Sequence, residues 1–341
     1  MPPDCLQVAR ELIAIESITG NEEPAVRYLE ARLREMGLPV RSETVAPGRR
    51  NLIAGPEQPS VLFCTHTDTV PPFLEPGEDE EHLYGRGACD TKGITACFIE
   101  AGRRLLEGGF DDFGYLFVAG EEVDNIGAKA ANRSVRARHV VLGEPTENRL
   151  AVGHKGCVVV RAVARGVACH SAYPEEGDSA LHRLLRGLGR VLETDFGGDP
   201  TLGPATVNIG TVEGGVAANV LAPAAEARIA LRVVGPLDEA ERRLAACFAD
   251  PRTGKRDEKI ELETVTRMPV PRLSRVDGLG LEETVVAYGT DAPFLGDVGE
   301  ICLIGPGSIR DAHTARERIS KRAMEEAVGI YVRLARRLAG G

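Results

Sequence analysis

Apolar residues recur at helical spacing over Cys5 to Ile15 and over Pro24 to Met36, and Gly37 closes the second stretch. The period then changes. Asn51 to Ala54, Val61 to Thr65, Tyr115 to Ala119 and His139 to Leu142 are short apolar runs that read as strands. Between them Lys92 to Leu106 reads as a helix and Gly127 to Arg133 as a short one. The runs VLFCT and YLFVA are nearly continuous in apolar residues, as expected of parallel strands covered on both faces.

From about Gly156 the rhythm differs. Strands over Cys157 to Ala164, Ala205 to Val212, Ala225 to Val234 and Lys259 to Val265 are interleaved with helices over Ser179 to Leu192 and Glu239 to Phe248. That β-α-β-β-α-β order is the ferredoxin-like split unit. The first pattern resumes with a helix over Gly278 to Tyr288, a strand over Ile301 to Ile304 and a helix over Lys321 to Leu338. The expected fold is α/β: a mostly parallel open-sheet domain of residues 1–155 and 267–341, carrying an inserted ferredoxin-like domain of residues 156–266. No internal repeat or low-complexity segment is visible.

Composition narrows the classes. A chain of 341 residues suits two domains with sizeable cores. Its net charge of -10, 4% aromatic residues and absence of Trp argue against nucleic-acid binding. The eight cysteines form no CxxC pair and several lie in apolar runs, which suits reduced core residues of a cytosolic protein. With no signal-like N-terminal segment and no apolar run of spanning length, a soluble cytoplasmic protein without membrane contact is expected.

Candidate chemistry gathers where strand-like runs end. His66 closes VLFCTH and Asp68 follows two residues on; in extended backbone both face one side, where Asp68 can hold the second imidazole N–H and fix the metal-binding tautomer. Asp90 lies in YGRGACDTKG, a glycine-rich turn entering a helix. It is either a helix cap or, given the close approach that Gly85, Gly87 and Gly93 permit, a bridging carboxylate. The spacing is not GxGxxG and no Walker lysine pattern occurs, which argues against a phosphate loop. Glu121 and Glu122 follow YLFVAG, and consecutive side chains point opposite ways, so one can bind metal while the other acts as a base; a solvated loop is the plainer alternative. Glu144 ends HVVLGEPT and His313 sits in CLIGPGSIRDAHT. Strand ends along one edge of an open α/β sheet meet in space, and two imidazoles with several carboxylates there read as a binuclear metal site. His82, His139, His154 and His182 are expected to be surface or core residues.

The motifs HTDTVP, GRGACDTKG, GEE, GEPT, ACHSAYP and GPGSIRDAHT run in order over nearly the whole chain. They resemble those of the binuclear zinc amidohydrolase and peptidase family that includes acetylornithine deacetylase, succinyl-diaminopimelate desuccinylase and carboxypeptidase G. The resemblance implies that His66 and Glu144 bind one metal and Glu122 and His313 the other. Asp90 would bridge both, Asp68 would orient His66 and Glu121 would be the base. The ions implied are two divalent metals, Zn first, with Co or Mn also suited to His and carboxylate donors. It implies further that the inserted domain is a lid pairing two subunits, and that His170 crosses into the partner's site to stabilise an oxyanion. Read locally, His170 is a polar residue in a loop before Pro174. Asn219 and Arg232 match positions that grip substrate carboxylate or carbonyl groups, a task the planar guanidinium suits, although Arg232 reads equally well as a strand-edge arginine.

The chemistry expected is proton transfer from a metal-activated water to Glu121, attack on an amide carbon, and return of the proton to the leaving nitrogen. GPGSIRDAHT resembles acetylornithine deacetylases most, so the expected reaction takes a small N-acyl amino acid, N-acetylornithine, to ornithine and acetate. The segment Pro71 to Leu83 lacks a Trp-containing stretch common in the family, and its Glu75, Glu78, Asp79, Glu80 and Glu81 form either a solvated loop or an attractor for a cationic side chain. The other readings are a desuccinylase, a dipeptidase or carboxypeptidase, a hydrolase of lysine held on a carrier protein, and an inactive metal-binding relative.

Overall fold

A computed structural model describes residues 4–340. They fall into two compact units: residues 4–152, 272–286 and 290–340 form the first, Gly153–Pro271 and Ala287–Gly289 the second.

The chain opens with α1 (Cys5–Ile13), capped by the Asp4 carboxylate accepting the Gln7 N–H at 2.8 Å, and α2 (Glu23–Glu35), which has Pro24 in its first turn, where a missing N–H costs nothing. β1 (Val40–Ala46), β2 (Arg49–Ala54), β3 (Val61–His66), α3 (Gly93–Glu107), β4 (Phe113–Val118), α4 (Ile126–Ser134), β5 (His139–Leu142) and β6 (Leu150–His154) follow. The second unit supplies β7 (Gly156–Arg165), α5 (Ala180–Glu193), β8 (Thr206–Gly214), β9 (Ala224–Val233), α6 (Leu237–Ala246) and β10 (Ile260–Met268). β11 (Glu283–Val286), β12 (Glu300–Leu303) and α7 (Lys321–Ala339) complete the first unit.

Eight strands form its sheet in the order β1-β2-β4-β3-β5-β12-β6-β11. The four central strands, β4-β3-β5-β12, are parallel, and antiparallel pairs flank them. Every residue of β3 and β4 is buried, which explains their lack of polar alternation. Period-two alternation sends Phe63, Phe113, Tyr115 and Phe117 into one core with α1, α2, α3 and α7. There the Phe98 ring lies 5.0 Å from Phe63 and 4.5 Å from Tyr331. Leu62 and Leu116 point the other way and are buried too, with α4 packed against β1, β2 and β4.

The second unit has a four-stranded antiparallel sheet in the order β8-β9-β7-β10, the ferredoxin-like arrangement. Alternate residues of β7 (Val158, Val160, Ala162, Ala164) and β9 (Ala225, Ala227, Ile229, Leu231, Val233) share a core with Leu184 and Leu188 of α5 and Leu244 of α6.

One expected element is wrong. Gly278 to Tyr288 is not a helix: Gly278 and Gly280 adopt φ of +86° and +63°, which no right-handed helix accommodates, and the β-branched run Thr284-Val285-Val286 pairs at the sheet edge as β11. β1 and β6 were not visible in the apolar pattern. No helix among the described residues is long and apolar enough to cross a membrane.

Candidate metal centre

The four parallel strands point their carboxyl ends to one edge, where open α/β sheets form their ligand crevices. His66 is the last residue of β3, Glu121 and Glu122 lie just beyond β4, Glu144 two residues beyond β5, and His313 on the loop leaving β12. Asp90 reaches the same place from the turn before α3. The His66 Nε2 lies 3.0 Å from Asp90 Oδ1, and the His313 Nε2 lies 3.2 Å from Asp90 Oδ2 and 3.1 Å from Glu122 Oε1. Ligand atoms of His66, Asp90 and Glu122 fall within 4.8 Å of one another. One carboxylate thus presents each of its oxygens to a different imidazole. Asp90 does not cap α3, whose N-cap position is Lys92; its carboxylate oxygens meet the two imidazoles instead.

His313 has a left-handed backbone, φ +62°, uncommon for a residue with a Cβ and typical of strained functional positions. Behind Asp90, the Glu317 carboxylate accepts the backbone N–H groups of Cys89 and Asp90, each at 3.3 Å, and pairs with buried Arg86 at 2.6 Å. Neither Arg86 nor Glu317 stood out in the sequence, although Arg86 lies in GRGACDTKG and Glu317 three residues beyond GPGSIRDAHT.

Asp68 does more than orient an imidazole. Its backbone carbonyl, not its carboxylate, makes the 2.9 Å contact to His66 Nδ1; Oδ1 stands 3.6 Å away. The carboxylate accepts the N–H groups of Gly120, Glu121 and Glu122 at 2.9, 3.1 and 3.2 Å, and the Thr19 hydroxyl at 2.8 Å. It therefore fixes the turn bearing both glutamates. That turn needs Gly120: at φ +84° a Cβ there would come within 2.3 Å of Arg49 Nη2 and 2.5 Å of Asp124 Oδ1.

The cluster is strongly acidic. Burial, reinforced by Glu144, pushes the Glu121 carboxyl well above its ordinary range, and burial reinforced by Asp90 does the same to Glu144. Burial also works against ionised Asp90, but hydrogen bonds with His313 and His66 outweigh it and hold Asp90 below the usual carboxylate range. Asp90 and Glu122 push His313 up to about 10, and His66 rises because Asp68 and Asp90 outweigh its burial. Glu144 Oε1 is buried without a hydrogen-bond partner. So many carboxylates around two imidazoles require positive charge, which ring protons supply or divalent ions would supply in their place. The donor set and the orphaned Glu144 oxygen both fit such ions.

The remaining candidates belong to the second unit. His170 is exposed, its Nδ1 accepting the Ala172 N–H at 3.1 Å, and it bridges to Val220 while the Asn219 carbonyl accepts the Ser171 N–H at 2.9 Å. The structure thus brings His170 and Asn219 onto adjacent segments. Arg232 stands elsewhere, on β9 opposite Cys157.

A family model, peptidase family M20/M25/M40, matches residues 62–337. A peptidase M20 domain-containing protein of Schizosaccharomyces pombe is 38% identical over 341 aligned residues, 96% of this chain and 83% of that protein. The chain belongs to the M20/M25/M40 peptidase family. Relatives of this M20 peptidase include a "Probable carboxypeptidase" of Aspergillus clavatus, 36% identical over 96% of this chain and 81% of its own. A tripeptidase of Staphylococcus aureus shares the fold, with a TM-score of 0.84 at 22% identity, covering 99% of this chain and 98% of that one.

Proposed function

We propose that this M20 peptidase is a two-metal hydrolase that cleaves an amide bond in a short peptide bearing a free carboxylate. The observation that carries the reading is Asp90, whose two oxygens face two imidazoles while the half-buried Glu121 carboxyl stands within the field of His66. His66, Asp90 and Glu144 would hold one ion, and Asp90, Glu122 and His313 the other; Zn is the first choice. Such ions supply Lewis acidity to the scissile carbonyl and make a water more acidic.

Glu121 supplies the proton chemistry. It accepts a proton from the attacking water at a carboxylate oxygen and delivers it to the leaving nitrogen, and a carboxyl raised above its ordinary range by burial serves both steps. Asp68 keeps Glu121 aimed by holding the N–H groups of its turn. Asn219 and Arg232 are proposed to receive carboxylate or carbonyl groups of the substrate, and His170 to stabilise the tetrahedral oxygen from the partner subunit of a dimer. Strand β8, an outer strand of its sheet with Val212 43% exposed, supports such pairing, since an open edge is a template for another chain.

Peptides are favoured over N-acetylornithine on two grounds. The Aspergillus relative is named a carboxypeptidase. Two members of the acidic segment that could have drawn a cationic side chain are already engaged: Glu78 pairs with Arg10 at 2.7 Å, and Asp79 accepts the Tyr84 hydroxyl at 2.6 Å. A panel of di- and tripeptides, N-acetylornithine and N-succinyl amino acids tests the reading with metal-loaded protein. Peptide cleavage with a free C-terminal residue released is expected; turnover confined to N-acetylornithine would restore the deacetylase.

A further inference from the structure

Three residues beyond Glu122, Asn125 adopts φ +52° and is 6% exposed. Its backbone N–H closes the turn on the Gly120 carbonyl at 2.6 Å. Its side-chain nitrogen has two protons and two acceptors: the Glu121 carbonyl at 3.3 Å and Asp291 Oδ1 at 3.0 Å. Asp291 is 1% exposed, and its other carboxyl oxygen is buried with no hydrogen-bond partner. A buried carboxyl satisfied at one oxygen only is costly, so its retention calls for a task.

We infer that Asn125 and Asp291 form a positioning pair: Asp291 anchors the Asn125 amide, which holds the Glu121 carbonyl and so fixes the direction in which the Glu121 side chain leaves the turn. Asp68 grips the N–H side of the same turn and Asn125 the carbonyl side. With one side released, the backbone at Glu121 can rotate, and small misplacements of a proton-transferring group cost rate steeply. Neither residue is among the side chains proposed to hold the ions or the substrate; both act through the Glu121 turn. Burial pushes the Asp291 carboxyl up to about 7, so its acceptor role does not require a permanent charge and asparagine can reproduce it. The kinetic part of this inference rests on the hydrolase reading above; the structural part does not.

The test compares metal-loaded wild type with Asn125→Gly, Asp291→Ala and Asp291→Asn. Glycine tolerates the left-handed backbone at position 125, so Asn125→Gly removes the amide without adding strain. Expected for Asn125→Gly and Asp291→Ala are hydrogen exchange roughly tenfold faster at the amides of residues 120–125, and kcat on a cleaved peptide roughly ten- to a hundredfold lower. KM should stay within about twofold and the bound metal should be retained, the mark of a misplaced group rather than a lost binding site. Asp291→Asn should match wild type in both readouts. Unchanged exchange in Asn125→Gly, unchanged kcat despite faster exchange, or Asp291→Asn as damaging as Asp291→Ala would overturn the inference. If Asp291→Ala does not fold, the other two variants decide. If wild type cleaves no substrate, the hydrolase reading fails and the exchange data alone decide the pair.

Discussion

Glu121 is the residue on which the chemistry turns. Glu121→Gln keeps the shape and hydrogen-bonding capacity but cannot carry the proton, so kcat should fall by roughly 10²–10⁴ with bound metal unchanged. Parallel steady-state kinetics and metal analysis check this; a variant within tenfold of wild type would remove Glu121 as the base. At this scale the sequence was legible wherever a carboxylate or imidazole directly followed an apolar run, because the strand end itself locates the residue. That rule found His66, Glu121, Glu122 and Glu144. It found Asp68 with an incomplete role, since no sequence shows that its carboxylate would turn to the Gly120–Glu122 amides. It missed Asp291, which stands five residues beyond Val286 and follows no apolar run directly, after a segment read as a helix. Arg86 and Glu317 act through a buried ion pair separated by 231 positions, which local pattern cannot reveal.

At the scale of elements, the core under the site is aromatic, and α3 and α7 are joined to β3 through Phe98, Tyr331 and Phe63. Phe98→Ala should cost about 3–5 kcal/mol, read as a shifted denaturation midpoint, because the close-packed site cannot collapse on the void. A loss under 1 kcal/mol would mean that the helices repack freely. Helices and buried strands were legible because their periods are strong and their lengths differ. β1 was not: its burial alternates irregularly along a sheet edge, so tertiary pairing with β2 rather than pattern defines it. The ferredoxin-like order was legible because β7 and β9 alternate regularly against one core.

At the scale of the whole molecule, one buried histidine gives stability a pH dependence of known sign. Burial drives His154 down to about 4 against its contact with the Lys155 carbonyl, whereas unfolded it titrates near its ordinary 6.5. The unfolded chain therefore binds this proton first as pH falls. The contribution is fully present above about pH 6.5 and is lost progressively toward pH 4, on the order of 3 kcal/mol in all. Unfolding free energies from pH 7.5 to 4.5 should show a shallower acid slope in His154→Gln; an identical slope would exclude this residue as the cause. Bound metal should also raise Tm with concentration, because the assembled ligands exist only in the folded chain.

The most direct test of the central claim is one titration of chelator-stripped protein with Zn²⁺, recording bound metal and peptide hydrolysis together. Activity absent in the stripped protein and rising to a plateau at about two bound equivalents per chain is the expected result for a carboxylate shared between two sites. Full activity without metal, or a chain that binds no ion at the concentrations that saturate the titration, would contradict it.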